Sequence, residues 1–266
     1  MSSSRPPTAM TIAGSDSGGG AGIQADLKTY SALGVFGTST LTAITAQNTV
    51  GVTAVHEIPT DVIAAQIDAV VSDIGADAVK TGMLSSSAIV ATVAEAVRRH
   101  GITNLVVDPV MVAKSGDRLL REEAIATICS ELIPLAKVVT PNIPEAEELT
   151  GRSIESDDDV RRAAEAIIGM GAKSVVVKGG HREGPPTDVL YDGEEFLEFT
   201  AERIPSTNTH GTGCTFASAV AAGLAHGLET PAAVRQAKDY VTAAISAAYP
   251  IGQGHGPLHH FHAFWR

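Results

Sequence analysis

Short apolar runs alternate with helical stripes along most of the 266-residue chain, and this alternation constrains the fold more than any other feature. Ala9 to Gly14, Ala76 to Lys80, Asn104 to Asp108, Lys137 to Thr140 and Ser174 to Lys178 read as buried strands. Between them, apolar residues recur three and four apart. Val62, Ile63, Ile67, Val70 and Val71 make one such stripe; Ile89, Val90, Val93 and Val97 make another, ending at Gly101. Further helices are expected from Gly22 to about Leu33, around Ile125 to Leu132, from Asp159 to Met170, from Gly213 to His226 and from Pro231 to Ala248. Repeated strand–helix units call for parallel strands joined by crossover helices, with functional groups at the carboxyl ends of the strands. The expected fold class is therefore α/β: a central, mainly parallel sheet flanked by helices on both faces. Asp192-Gly193, inside the alternating stretch Thr187 to Thr200, adds a short β-hairpin. No linker forces a boundary, so residues 9–266 are expected to form a single domain after a flexible tail, 1–8.

Composition excludes several functions. A formal net charge of −11 argues against non-specific binding of nucleic acid or anionic membranes. No uncharged apolar run could span a bilayer, and Met1 to Thr8 lacks the apolar centre of a signal peptide, so a cytoplasmic protein is expected. Cys129 and Cys214 provide neither a disulfide framework nor a four-ligand zinc pattern. His255, His259, His260 and His262 invite a metal reading, but they lie in a Gly/Pro-interrupted tail without a carboxylate or thiolate pattern; the other reading is ordinary packing.

Chemistry concentrates in two Gly-rich segments. Thr209-His210-Gly211-Thr212-Gly213-Cys214-Thr215 opens a helix of small residues. Glycines allow successive N–H groups to converge, and the helix dipole adds to their attraction for an anion such as a phosphoryl group. The alternative is a Gly-rich turn leading into a buried helix. The second segment, Gly20-Ala21-Gly22-Ile23-Gln24-Ala25, fits the looser dinucleotide fingerprint, yet it stands several residues beyond the strand end at Gly14. The acidic residue required some twenty residues later is missing from Thr42 to Asn48. Lys80, Lys114 and Lys173 each precede Ser or Thr but lack the Gly of a phosphate-binding G-K-[ST] loop.

Taken together, Ala13 to Lys28, Thr42 to Thr49, Lys80-Thr81-Gly82-Met83-Leu84, Val107-Asp108-Pro109-Val110-Met111, Lys114-Ser115-Gly116, Asn142 to Glu145, Lys178-Gly179-Gly180-His181 and His210 to Cys214 resemble the hydroxymethylpyrimidine and phosphomethylpyrimidine kinases of thiamine biosynthesis. The resemblance covers nearly the whole chain after the tail. It implies a ribokinase-like fold, a homodimer, ATP as phosphoryl donor, Mg²⁺, and a small-molecule pyrimidine substrate phosphorylated first as the alcohol and then as the monophosphate. Pyridoxal kinase is the near alternative; a non-catalytic ligand-binding regulator is an alternative of another class.

The resemblance also implies residue roles. Gly211, Thr212, Gly213 and Cys214 would form the catalytic anion hole and its thiol. Gly14, Ala21, Asp26, Gln47, Met83 and Val110 would contact the pyrimidine, with Asp26 as an acceptor and the Gln47 amide reading a ring nitrogen and its neighbouring amine. Lys178, Asn142 and Lys114 would serve phosphates or nucleotide, and Glu145 and Asp108 the metal. Each has a plainer reading. Asn142 and Glu145 form a helix-capping pattern, Asp108 a turn, Lys178 a snorkelling strand end, Lys114 a solvated loop, and Asp26 a helix-surface charge. Met83 and Val110 would be core. Cys214, in the first turn of its helix, is expected to have its pKa lowered by the dipole enough to supply some thiolate.

Overall fold

The computed structural model describes residues 5–112, 116, 122–180 and 184–265. Among them, strands β1 (Thr8–Asp16), β2 (Phe36–Gln47), β3 (Val52–Glu57), β4 (Ala78–Thr81), β5 (Leu105–Val107), β6 (Val138–Val139), β7 (Val175–Val177), β8 (Thr187–Tyr191) and β9 (Phe196–Thr200) form one sheet. Its order is β3-β2-β1-β4-β5-β6-β7-β8-β9. The neighbours from β2 through β1 to β7 pair in parallel, whereas β3, β8 and β9 pair antiparallel and close the two ends.

The short central strands are apolar on both sides because both sides are covered. Val79, Leu105, Val107, Val139 and Val175 enter one core, packed by helices α2 (Thr60–Asp73), α3 (Ser87–Arg99), α4 (Glu122–Thr127), α5 (Ile143–Thr150) and α6 (Asp157–Gly169). Ala78, Val106, Val138 and Val176, one residue out of phase, enter the other core beneath α1 (Gly22–Ala32), α7 (Thr212–Ala225) and α8 (Thr230–Ser246). That alternation is the two-residue period of a strand used on two faces. Helix α7 is buried nearly all round, and its Gly223 lets α8 approach so closely that a Cβ there would stand 2.8 Å from Ala233 Cβ. Beyond α4 the chain continues through a wider turn, Ile128–Leu132, and a tighter one, Ile133–Leu135, where Pro134 cannot prolong a regular helix.

The structure departs from the sequence reading at Thr8 and, more widely, at residues 36–57. Thr8 belongs not to a flexible tail but to β1, where its N–H donates to Asp77 Oδ2 at 2.8 Å. Residues 36–57 form a long strand and an antiparallel edge strand that the reading left unassigned. The signal was weak because β2 buries Thr38, Thr40, Thr42 and Thr45, so its inward face carries hydroxyls where an apolar pattern would be sought. The hairpin at 187–200 forms as β8–β9. No helix among the described residues is long and apolar enough to cross a membrane.

Candidate active site

The carboxyl ends of β1, β4, β5, β6 and β7 share one edge of the sheet, and a cavity of about 1040 Å³ opens along it. The first turn of α7 points into its middle. Gly211 precedes the helix with φ +80°, and a Cβ there would lie 1.8 Å from the Gly20 carbonyl oxygen; only glycine fits. Gly213 differs: its added Cβ would meet only Lys178 Nζ, at 3.4 Å. The first-turn N–H groups of Gly213 and Cys214 have no carbonyl four residues back within the helix. Thr212 is partly spent, since its N–H lies 3.3 Å from the Thr209 carbonyl and its hydroxyl donates to the same oxygen at 2.8 Å.

At one end of the cavity, Gly14, Ala21, Gln47, Met83 and Val110 line the wall together. A Cβ at Gly14 would approach Met83 Cε to 2.6 Å, so a side chain there would push the thioether aside. The Gln47 backbone is clamped by Ser17, which donates to its carbonyl at 2.7 Å and accepts from its N–H at 2.8 Å. Its Oε1 lies 3.2 Å from Thr45 Oγ1. The loop between β1 and α1 is closed by Asp16, which accepts from the N–H groups of Gly18, Gly20 and Ala21 and contacts His210 Nε2 at 2.8 Å. Burial raises the Asp16 pKa, but the His210 contact and the amides outweigh it and hold the carboxyl below its ordinary range. Asp16 and His210 thereby tie the loop to the mouth of α7.

At the other end, Lys178 Nζ reaches Asp108 Oδ1 at 3.0 Å and stands 3.9 Å from Glu145 Oε2. The capping reading of Asn142 and Glu145 is realised in full: Asn142 Oδ1 accepts from Glu145 N–H at 2.9 Å, and Glu145 Oε2 accepts from Asn142 N–H at 2.8 Å. Burial drives Glu145 up to about 7, the Lys178 ammonium pulling it down and Asp108 pushing it further up. Asp108 Oδ2 is buried without a hydrogen-bond partner. A buried carboxylate oxygen left bare beside a second carboxyl fits a hard cation that takes few protein oxygens and keeps its waters and phosphate ligands. Among the described residues no group of three or more His, Cys, Asp or Glu is arranged to hold a metal, and at this end of the cavity they offer two carboxylates, Asp108 and Glu145.

Three expectations need correcting. Asp26 is neither a surface charge nor a lining acceptor. It is fully buried under the site, its oxygens taken by Lys80 Nζ at 3.0 and 3.1 Å, Thr11 Oγ1 at 2.6 Å and Ser218 Oγ at 2.5 Å. Cys214 is not a low-pKa thiol. Burial drives it up to about 11, Asp26 and Asp108 adding to the rise, and outweighs the opposing Lys80 ammonium and Gly22 amide. Gly213 is not the glycine the turn requires; Gly211 is. Lys114 lies outside the described residues.

Sequence reading missed Lys80, His210 and the wall formed by Lys238 and Asp188, which pair at 2.9 Å and line the cavity beyond Lys178. Lys80 had a usable signal: a charge inside a strand buried on both faces must have a partner, although the sequence does not say which.

Comparison with known proteins identifies the family. The profile of the phosphomethylpyrimidine kinase family matches residues 16–259. A hydroxymethylpyrimidine/phosphomethylpyrimidine kinase of Rhizobium meliloti is 56% identical over 97% of this chain and 98% of its own length. The crystal structure of phosphomethylpyrimidine kinase from Clostridium difficile superposes with a TM-score of 0.81 at 48% identity, covering 90% of this chain and 99% of that one. The ADP complex of Bacillus subtilis pyridoxal kinase superposes with a TM-score of 0.90 at 42% identity, covering 96% and 98%. The chain belongs to the phosphomethylpyrimidine kinase family.

Proposed function

We propose that this chain is an ATP-dependent kinase that phosphorylates 4-amino-5-hydroxymethyl-2-methylpyrimidine and then the resulting monophosphate, giving the diphosphate used in thiamine biosynthesis. The observation that carries the reading is the position of the α7 mouth in one continuous cavity, between the pocket of Gln47, Met83 and Val110 and the cluster of Lys178, Asp108 and Glu145. An acceptor ring at one end and a nucleoside triphosphate at the other would bring nucleophile and γ-phosphorus together at the Gly213 and Cys214 amides.

Each residue has work that suits its chemistry. Gln47 offers Oε1 to the ring's exocyclic amine and Nε2 to the adjacent ring nitrogen, while Met83 and Val110 cover the faces. The substrate oxygen attacks the γ-phosphorus in line and ADP leaves with the electrons of the broken bond. The first-turn amides of α7 and the Lys178 ammonium meet the charge on the transferring group. Asp108 and Glu145 would hold Mg²⁺, which supplies neutralisation of the phosphate oxygens when bound. In the first reaction the alcohol proton must leave, and the minor thiolate form of Cys214 would take it, becoming the neutral thiol. In the second the attacking phosphate is already ionised, and a thiol that is neutral at physiological pH adds no like charge against it. The homodimer, the cytoplasmic setting and the work of residues 9–266 as one kinase domain belong to the same proposal.

The second reading is a pyridoxal kinase, favoured by the superposition on the Bacillus subtilis enzyme. Incubation with ATP, Mg²⁺ and each ring in turn, with products identified by mass spectrometry, separates the two. A diphosphate from the pyrimidine is the expected product. Phosphorylation of pyridoxal alone would select the second reading, and no phosphorylated product from either ring would remove both.

A further inference from the structure

Helices α1 and α7 face each other through two matched pairs of residues directly beneath the proposed transfer site. On α7, Cys214 and Ser218 are one turn apart on the same face; on α1, Gly22 and Asp26 are likewise one turn apart. The Gly22 amide stands by the Cys214 sulfur, and Ser218 Oγ donates to Asp26 Oδ1 at 2.5 Å. Lys80 rises from β4 into this ladder. Its ammonium is fully buried, contacts both Asp26 oxygens, and also lines the cavity that Cys214 lines. Gly82 leaves room for it, because a Cβ there would stand 2.9 Å from Lys80 Nζ and 2.9 Å from Ala13 Cβ. Two contacts to Asp26 leave one of the three ammonium protons uncommitted among the described residues.

We propose that Lys80 is a positioning residue of this site: its buried ammonium, seated on Asp26, sets the charge felt by the Cys214 thiol and so serves the step in which a neutral alcohol is phosphorylated. The charged groups that act on Cys214 come from four directions: Lys80 on β4, Asp26 on α1, Asp108 after β5 and Lys178 after β7. The Lys80 ammonium favours the thiolate, whereas the Asp26 and Asp108 carboxylates oppose it. A cation held this way favours the thiolate without meeting solvent, and the carboxylate keeps it from favouring the thiolate outright. The inference rests on the kinase reading for its consequence, though not for its first test.

That test measures the thiol without any substrate. In a Cys129→Ser background, alkylation of Cys214 by iodoacetamide at a fixed alkaline pH reports the thiolate fraction. Replacing the pair by a neutral one, Lys80→Met with Asp26→Asn, removes the ammonium together with its counter-charge, and alkylation should slow about tenfold, the equivalent of one pH unit. Asp26→Asn alone frees the ammonium from its counter-charge and should speed it. Opposite directions are the signature, since loosened packing would expose the sulfur and speed both. Separate assays should then find kcat for the alcohol lowered about tenfold in the neutral-pair variant, with KM for the alcohol and kcat for the monophosphate held. An unchanged alkylation rate in the neutral pair, or the same direction in both variants, overturns the proposal; so does a slowed thiol with an unchanged first step. If the neutral pair does not fold, Asp26→Asn decides through the pH dependence of its alkylation: a midpoint moved to lower pH supports the proposal, and a faster rate with the midpoint unmoved, which exposure alone would give, overturns it. If the wild type alkylates as expected yet phosphorylates neither ring, the kinase reading fails and the electrostatic coupling stands.

Discussion

Two lysines enter this site from separate strands of the sheet, Lys80 from β4 and Lys178 from the end of β7 with β5 and β6 between them, and each pairs with an aspartate at about 3.0 Å, yet the surroundings make them different devices. Around Lys80 the carboxylate is fully satisfied. Both side chains are 0% exposed, and Thr11 and Ser218 complete the coordination of Asp26. Around Lys178 the cluster is left open. Lys178 is 13% exposed at the cavity wall, Asp108 keeps a bare oxygen, and Glu145 is driven up to about 7. A buried ion pair with satisfied hydrogen bonds organises the structure around it, whereas one with an unmet acceptor waits for a ligand. The position of an ion pair therefore says less about its role than the count of its unmet bonds.

Four substitutions test that distinction. The largest effect is expected for Lys80→Met, which strands the Asp26 carboxylate in a dry interior and should cost about 3–5 kcal/mol of stability in a denaturant titration. A loss below about 1 kcal/mol would show that the closed pair is no more structural than a surface one. Lys178→Met should do the reverse. Asp108 and Glu145 there border the open cavity, so the melting temperature should move little, while kcat should fall about 10²–10³-fold through loss of a donor to the transferring group. A variant that unfolds at unchanged kcat would exchange the roles of the two lysines.

Glu145→Gln sharpens the contrast through pH. With the folded pKa raised to about 7 from an ordinary 4.5, the native state binds a proton that the unfolded chain has released between those values, so stability declines as pH rises through that window. Gln mimics the protonated form at every pH. Its stability relative to wild type should therefore improve by about 1–2 kcal/mol between pH 5 and pH 8, read from paired denaturation curves. A constant difference would mean that the open cluster holds Glu145 ionised throughout. Gly213→Ala should give the smallest effect. The added methyl meets only the end of Lys178 at ordinary contact distance, and turnover should stay within about threefold of wild type, under about 0.7 kcal/mol. A collapse of turnover would show that the open cluster has no slack toward α7.

Much of this was legible in the chain. The parallel core could be read because Leu105–Val107 and Val175–Val177 are buried on both faces and so appear as unbroken apolar runs. The Asn142–Glu145 cap could be read because it is local: donor and acceptor lie three residues apart. The edge at 36–57 could not, since β2 buries threonines whose hydroxyls find partners 29 to 41 residues away, as Thr42 does with the Met83 carbonyl and Thr38 with that of Ala9. Such pairing leaves no period in the sequence.

By itself, the sequence determined the α/β class, the family motifs, the glycine-bounded mouth of α7 and the residue types that meet there, because each rests on local geometry or on a contiguous pattern. The tertiary structure alone decided which charges face each other. Asp26 and Lys80 are 54 residues apart, Asp108 and Lys178 70, and His210 and Asp16 194. The tertiary structure also decided that Asp26 is a strut and that the Cys214 thiol is held up rather than down. Charge and pKa depend on burial and on neighbours brought together by folding, and neither is a property of the chain before it folds.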